Sequence, residues 1–214
     1  MSVSVLIIDG YPQLRGRTFV AGLQPFFSDD DIENIMFAYA ISKYGHGHLR
    51  QTRGNGVRYF EHPRAVAWIL ADELKIYDWE LICTALLHDV VEDTWIMTEH
   101  RNQLNFGKRV CMDVKYMTHV KEQTTTAEYY QRFYTVGSWR AVACKLADRL
   151  HNLRTMRDVP SEKQRRKLQE TREMFTPLFK LAAELTPKEY QDSISGLCGM
   201  IIEEVRTLEC ELAL

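Results

Sequence analysis

Four ionisable side chains fall within six residues of the segment ALLHDVVEDT: His88, Asp89, Glu92 and Asp93. On a helix, His88 and Glu92 stand four apart, as do Asp89 and Asp93, so the polar groups gather at one end of the element. Three carboxylates and an imidazole crowded behind an apolar lead desolvate and repel one another unless a cation neutralises them. A divalent metal meets that need. A His-Asp pair alone is more often a hydrogen-bonded core feature, so its partners decide the reading. Two are present: His62 in YFEHPRAVA, just ahead of a helix, and Asp148 in KLADRLHNLRT, inside another. His62, His88, Asp89 and Asp148 make a mixed nitrogen and oxygen donor set, suited to Mn, Fe, Zn or Mg and not to a thiolate-type structural zinc. Glu92 and Asp93, one turn past the ligands, are the expected catalytic pair. Glu92 orients or deprotonates a water and Asp93 holds that water or carries its proton, a division the sequence leaves open.

The elements that position these groups read as helices. Asp78 is the expected N-cap of WELICTALL, whose stripe Leu81, Ala85, Leu86 and Val90 faces a core. Pro63 opens RAVAWILADELK, with Val66, Ile69, Leu70 and Leu74 inward. His62 then sits at a helix N-terminus, where the dipole disfavours an imidazolium and leaves the neutral form that a metal requires. In SWRAVACKLADRLHNLRTM, Asp148, Asn152 and Thr155 share one stripe beside the apolar Val142, Leu146, Leu150 and Leu153. Three aligned polar groups next to a buried stripe need polar company, which favours a site.

Around these, Ser28 to Asp31 caps a helix whose expected apolar face is Ile32, Ile35, Met36, Ala40 and Tyr44. His46 and His48 at its end are read as supporting groups and not as ligands. The FG of TEHRNQLNFGKRVCMDVKYM separates a helix pair with Val110, Val114 and Met117 inward, and His100 and His119 are read as surface residues. Beyond Pro160 further helices close the bundle, with an interruption expected at Pro177 and with Arg165, Arg166 and Lys167 on a solvated face. Val3 to Ile8 is a candidate strand without an evident partner, followed by a turn-like GYPQLRGRT.

EHPRAVAWIL, TALLHDVVEDT and KLADRLHNLRTM, in this order, resemble the hydrolase domain of the Rel/SpoT stringent-response proteins and of the stand-alone small alarmone hydrolases, the metazoan SpoT homologue among them. The resemblance covers about His48 to Thr155 and extends more weakly into the C-terminal helices. It implies an all-α HD-domain phosphohydrolase bundle over residues 28–214, with residues 1–27 as an extension. With 214 residues there is no room for the synthetase domain of the long forms, so a hydrolase-only form is expected. It further implies Mn2+ and the cleavage of guanosine 3′-pyrophosphate, ppGpp or pppGpp, to GDP or GTP and pyrophosphate.

By the same resemblance Arg53 stacks on the nucleotide, Asn152 and Thr155 line the nucleoside pocket, and Lys121 falls near a phosphate-facing lysine. Asn55 stands where the family commonly has Ser, and Gly54 where it commonly has Lys, so Arg58 is the expected substitute contact. That departure keeps an adenosine alarmone or NADPH as alternative substrates. The alternative class is a sensor that binds alarmone without turnover, against which the intact HD, ED and distant Asp argue.

Twenty-seven basic and 29 acidic residues leave no global field to draw the chain to nucleic acid or a membrane. Local arginines and lysines must hold an anionic nucleotide. The five cysteines are odd in number, widely spaced and without a CxxC, as expected of a reduced cytoplasmic protein. The apolar run in MSVSVLIIDG is too short for a span and lacks a basic lead. None of these features fixes an oligomeric state.

Overall fold

Asp78 caps the helix on which the others pack: its Oδ1 accepts the N–H of Leu81 at 2.8 Å, and every residue from Glu80 to Leu87 is buried. The computed structural model describes residues 7–8, 11–12, 16–53, 56–120 and 122–213. Its helices are α1 (Gly16–Leu23), α2 (Asp29–His48), α3 (Glu61–Trp68), α4 (Trp79–Leu87), α5 (Val90–Asp93), α6 (Glu99–Met117), α7 (Thr126–Val136), α8 (Trp139–Arg154), α9 (Ser161–Leu185) and α10 (Gln191–Glu211). Helix α4 is the central element, with α2, α3, α6 and α8 packed against it. Helices α9 and α10 cover α8 and bury Phe175, Leu178, Leu197 and Ile201. Among the described residues the fold is all-α apart from a minimal hairpin in which Ile7–Ile8 pairs antiparallel with Tyr11–Pro12 and an isolated bridge between Thr52 and Arg58.

The predicted inward faces of α3, α4, α6 and α8 are buried as expected, and Gly107, with φ of +81°, breaks α6 at the FG pair. Three expectations are revised. The Ser28–Asp31 capping box forms, but the buried face of α2 is Ile35, Ala38, Tyr39, Ser42, Gly45 and His46, while Tyr44 is 60% exposed and Ala40 is also exposed. On this face His46 Nδ1 bonds Gln51, which offsets part of the cost of burying the imidazole.

Pro177 does not interrupt α9. The lost N–H removes one bond of a 25-residue helix, and Phe175, Leu178 and Ala182 anchor it on either side. Within the stretch read as turn-like and its continuation, α1 forms and places Phe19 and Leu23 in the common core, Phe19 lying 5.3 Å from the ring of Tyr39 and 5.9 Å from that of Trp68.

Candidate active site

Helix α4 ends at Leu87, and a turn at His88 and Asp89 separates it from the single turn of α5. On an unbroken helix, neighbouring side chains point about 100° apart. Here His88 Nε2 and Asp89 Oδ2 lie 3.2 Å apart. His62, from the first turn of α3, brings Nε2 to 3.7 Å from Asp89 Oδ2 and to 3.1 Å from Oδ1 of Asp148 on α8. Ligand atoms of His62, His88 and Asp89 all lie within 4.8 Å of one another. His88 Nδ1 donates to Ala85 O at 2.8 Å, which leaves Nε2 facing the cluster, and that atom is buried without a hydrogen-bond partner. Two imidazoles, two carboxylates and an orphaned buried nitrogen fit a divalent ion.

The protonation states tell the same story. Burial pulls His62 down to about 4, with the charge of Arg53 adding to it against Asp148, so its imidazole is neutral. Burial pulls His88 down as well, but the carboxylate of Asp89 more than reverses this and pushes it up to about 9. Burial opposes ionisation of Asp89, yet His88 holds it well below the usual carboxylate range. A proton on His88 thus sits where a cation would neutralise the cluster, and a divalent ion held there would displace it.

A ring of supporting contacts surrounds the cluster. Tyr59 Oη donates to Asp89 Oδ2 at 2.9 Å, and His62 Nδ1 lies 2.8 Å from Nδ1 of His151. Lys145 Nζ donates to Asp148 Oδ2 at 3.0 Å, and Asn152 donates to Oδ1 of the same carboxylate. Burial opposes the charge on both, but Tyr129 and then Asp148 hold the lysine well above its usual range, and Lys145 holds the aspartate well below. His46 Nδ1 donates to Gln51 Oε1 at 2.6 Å, and Gln51 Nε2 donates to Asp93 O at 2.8 Å, fixing the end of α5. His46 is the buried supporting group, while His48 is exposed.

The catalytic candidates flank the cluster. Glu92 Oε2 accepts the backbone N–H of His119 at 2.8 Å. Burial, then the charge of Asp89, raises the proton affinity of Asp93, which also faces Tyr59.

A cavity of about 510 Å³ opens above the cluster. Arg53 reaches across it, its Nη2 donating to Asn152 Oδ1 at 2.8 Å and to Thr155 Oγ1 at 3.3 Å. Three nucleoside-contact candidates from distant segments therefore meet. Arg58 does not join them: it is bound to Glu61, which Arg64 also holds, and is absent from the cavity wall. Gly54, Asn55 and Lys121 lie outside the described residues.

Sequence reasoning missed Tyr59, Lys145, His151 and Lys163, which line or support the site, and read Lys167 and His119 as solvent-facing although both line the cavity. For Lys145 and His151 a signal existed, since both lie three residues from Asp148 on α8 and share its face.

Residues 38–182 match the HD domain family, well over half of the chain. The chain belongs to the HD domain family. Its relatives include the bifunctional (p)ppGpp synthase/hydrolase SpoT of Escherichia coli, 37% identical over 164 residues, with 73% of this chain and 23% of SpoT covered. A probable guanosine-3′,5′-bis(diphosphate) 3′-pyrophosphohydrolase of Synechocystis is 40% identical over 150 residues, covering 66% of this chain and 19% of that protein. A GTP pyrophosphokinase of Myxococcus xanthus is 35% identical, covering 72% and 21%. The chain thus spans about a fifth to a quarter of the length of these relatives. A solved structure titled as a metazoan ortholog of SpoT that hydrolyzes ppGpp and plays a role in starvation responses matches with a TM-score of 0.62 at 24% identity, over 77% of this chain and 93% of that one. That likeness shows the fold. Among the described residues, no helix is long and apolar enough to cross a membrane.

Proposed function

We propose that this chain is a pyrophosphohydrolase that cleaves ppGpp or pppGpp to GDP or GTP and pyrophosphate, with one Mn2+ held by His62, His88, Asp89 and Asp148. One observation carries the reading. His62, Asp89 and Asp148 of the cluster share one cavity with Arg53 and Asn152, and the two groups are joined through Asn152, which donates to Asp148 and accepts from Arg53. A nucleoside held at one end brings its 3′ substituent to the other. The curated relatives, named for synthesis or hydrolysis of this alarmone, support the substrate class.

When bound, the metal supplies charge that acidifies water and polarises a phosphate oxygen. The chain supplies the rest. Glu92, its Oε2 held by the His119 N–H, accepts a proton from the attacking water, and Asp93 passes a proton onward. The water oxygen bonds to the phosphorus attached to O3′, the P–O3′ bond breaks, and O3′ leaves protonated with GDP or GTP. Lys145, Lys163 and Lys167 on the cavity wall offset phosphate charge, and Arg53 covers the base. In this reading residues 28–214 form a single hydrolase domain with α1 packed into it, acting in the cytoplasm.

Steady-state turnover of ppGpp, ppApp and NADPH with Mn2+ tests the substrate. The highest kcat/KM is expected for ppGpp. A higher value for ppApp or NADPH would keep the metal site and reject the guanosine pocket.

A further inference from the structure

Glu92 lies on a helix of one turn, too short to hold a side chain in place by its own backbone. Its carboxylate is instead tied at 2.8 Å to the N–H of His119, in the turn that follows α6. That turn is fastened from several directions. Thr118 Oγ1 donates to Val114 O at 2.9 Å, Arg132 Nη2 to Thr118 O at 2.7 Å, and Tyr129 Oη to Met117 O at 2.8 Å. The His119 ring lies on the ring of Tyr129, with centroids 4.5 Å apart and planes 19° apart, and its Nε2–H donates to Thr124 O at 3.0 Å. Tyr129 is buried, and Lys145 Nζ, which also bonds Asp148, stands 5.2 Å from its ring centre. A continuous path therefore runs from Glu92 through His119, Tyr129 and Lys145 to Asp148.

The need for a clamp follows from the space around it. Glu92 and His119 line the 510 Å³ cavity and also a second one of about 560 Å³, bounded by α6 and by the turn itself. A carboxylate that borders two cavities depends on its bonding partners for its aim, and the His119 N–H is a fixed donor among them.

We propose that His119 is a positioning residue: its stack on Tyr129 fixes the turn whose backbone N–H aims the Glu92 carboxylate at the reacting water. The inference rests on Glu92 being the water-activating base. The imidazole itself takes no proton from substrate or water.

The test compares kcat and KM for ppGpp, and Mn2+ affinity, in His119→Ala, His119→Phe and Glu92→Gln. His119→Ala removes the stack and the Thr124 bond, and its kcat should fall about tenfold, the scale of one aromatic contact and one hydrogen bond. KM and Mn2+ affinity should stay within about twofold, because the clamp touches neither the nucleoside contacts nor the metal ligands. His119→Phe keeps the stack and should recover most of the loss. Wild-type kcat in His119→Ala, or a His119→Phe variant as slow as His119→Ala, would overturn the proposal, the latter by assigning the role to the imidazole nitrogens. If His119→Ala binds no Mn2+ and has not folded, His119→Phe against wild type decides: near-wild-type kcat is expected and a tenfold loss overturns the proposal. Undiminished turnover in Glu92→Gln would instead reject Glu92 as the base, a separate result.

Discussion

The Nδ1 atoms of His62 and His151 lie 2.8 Å apart in the core, so one buried imidazole donates to the other. For His62 to present an Nε2 lone pair to a metal, its Nδ1 must carry the hydrogen, which makes His151 the acceptor. Burial, reinforced by the charge tendencies of His62 and Arg53, holds His151 well below the usual imidazole range, so it is neutral and able to accept. His151→Ala should weaken Mn2+ binding roughly tenfold to a hundredfold, the range for a lost outer hydrogen bond to a ligand. Titration of the metal-stripped protein with Mn2+ measures this, and unchanged affinity would remove His151 from the site.

Single changes Glu92→Ala and Asp93→Ala should leave the fold and Mn2+ affinity in place and lower kcat on the order of a hundredfold or more, the scale of a lost general base. Wild-type turnover in both would refute the proposed proton path.

Arg53 joins Asn152 and Thr155 through one guanidinium, a planar fork that a lysine does not reproduce. Arg53→Lys and Arg53→Ala should therefore both raise KM for ppGpp about tenfold or more, with little change in thermal stability. A lysine variant indistinguishable from wild type would show that charge alone is used there.

Asp113, on α6, is buried at 2% exposure and accepts a hydrogen bond from Ser138, the N-cap of α8. Burial pushes its carboxyl up to about 6 from 3.8, with the nearby charges of Glu80 and Asp78 adding to the rise and Ser138 and Arg140 opposing it. The folded state thus binds this proton more tightly than the unfolded chain. The stability it contributes is complete below pH 3.8 and is lost as pH rises through about 6. Asp113→Asn keeps an acceptor for Ser138 without the charge. It should stabilise the protein by roughly 1–3 kcal/mol at pH 7.5 and by little at pH 4. Urea unfolding at the two pH values checks the sign, and equal effects at both would contradict it.

What the sequence revealed was what is local. Asp78 followed by an apolar run reads as α4 because cap and stripe lie within one segment, and His62, His88, Asp89 and Asp148 each sit in a motif whose own residues are unusual for a core. Their convergence, and that of Arg53 with Asn152, depends on how α3 and α8 cross α4, which no short window encodes. The buried face of α2 is not legible in the sequence because Ser42, Gly45 and His46 look polar or permissive until Gln51 is seen to bond His46 Nδ1. Helix α1 escaped notice because only Phe19 and Leu23 mark its buried face. His119 was unreadable for a different reason: its bond to Glu92 runs through the backbone N–H, which any residue but proline supplies.

The central claim is metal-dependent release of pyrophosphate from the 3′ position. Incubating the metal-stripped protein with ppGpp, with and without Mn2+, and resolving the products tests it directly. GDP and pyrophosphate are expected in equal amounts, and only when Mn2+ is added. Release of single phosphates, or intact ppGpp after incubation with the Mn2+-loaded protein, would contradict it.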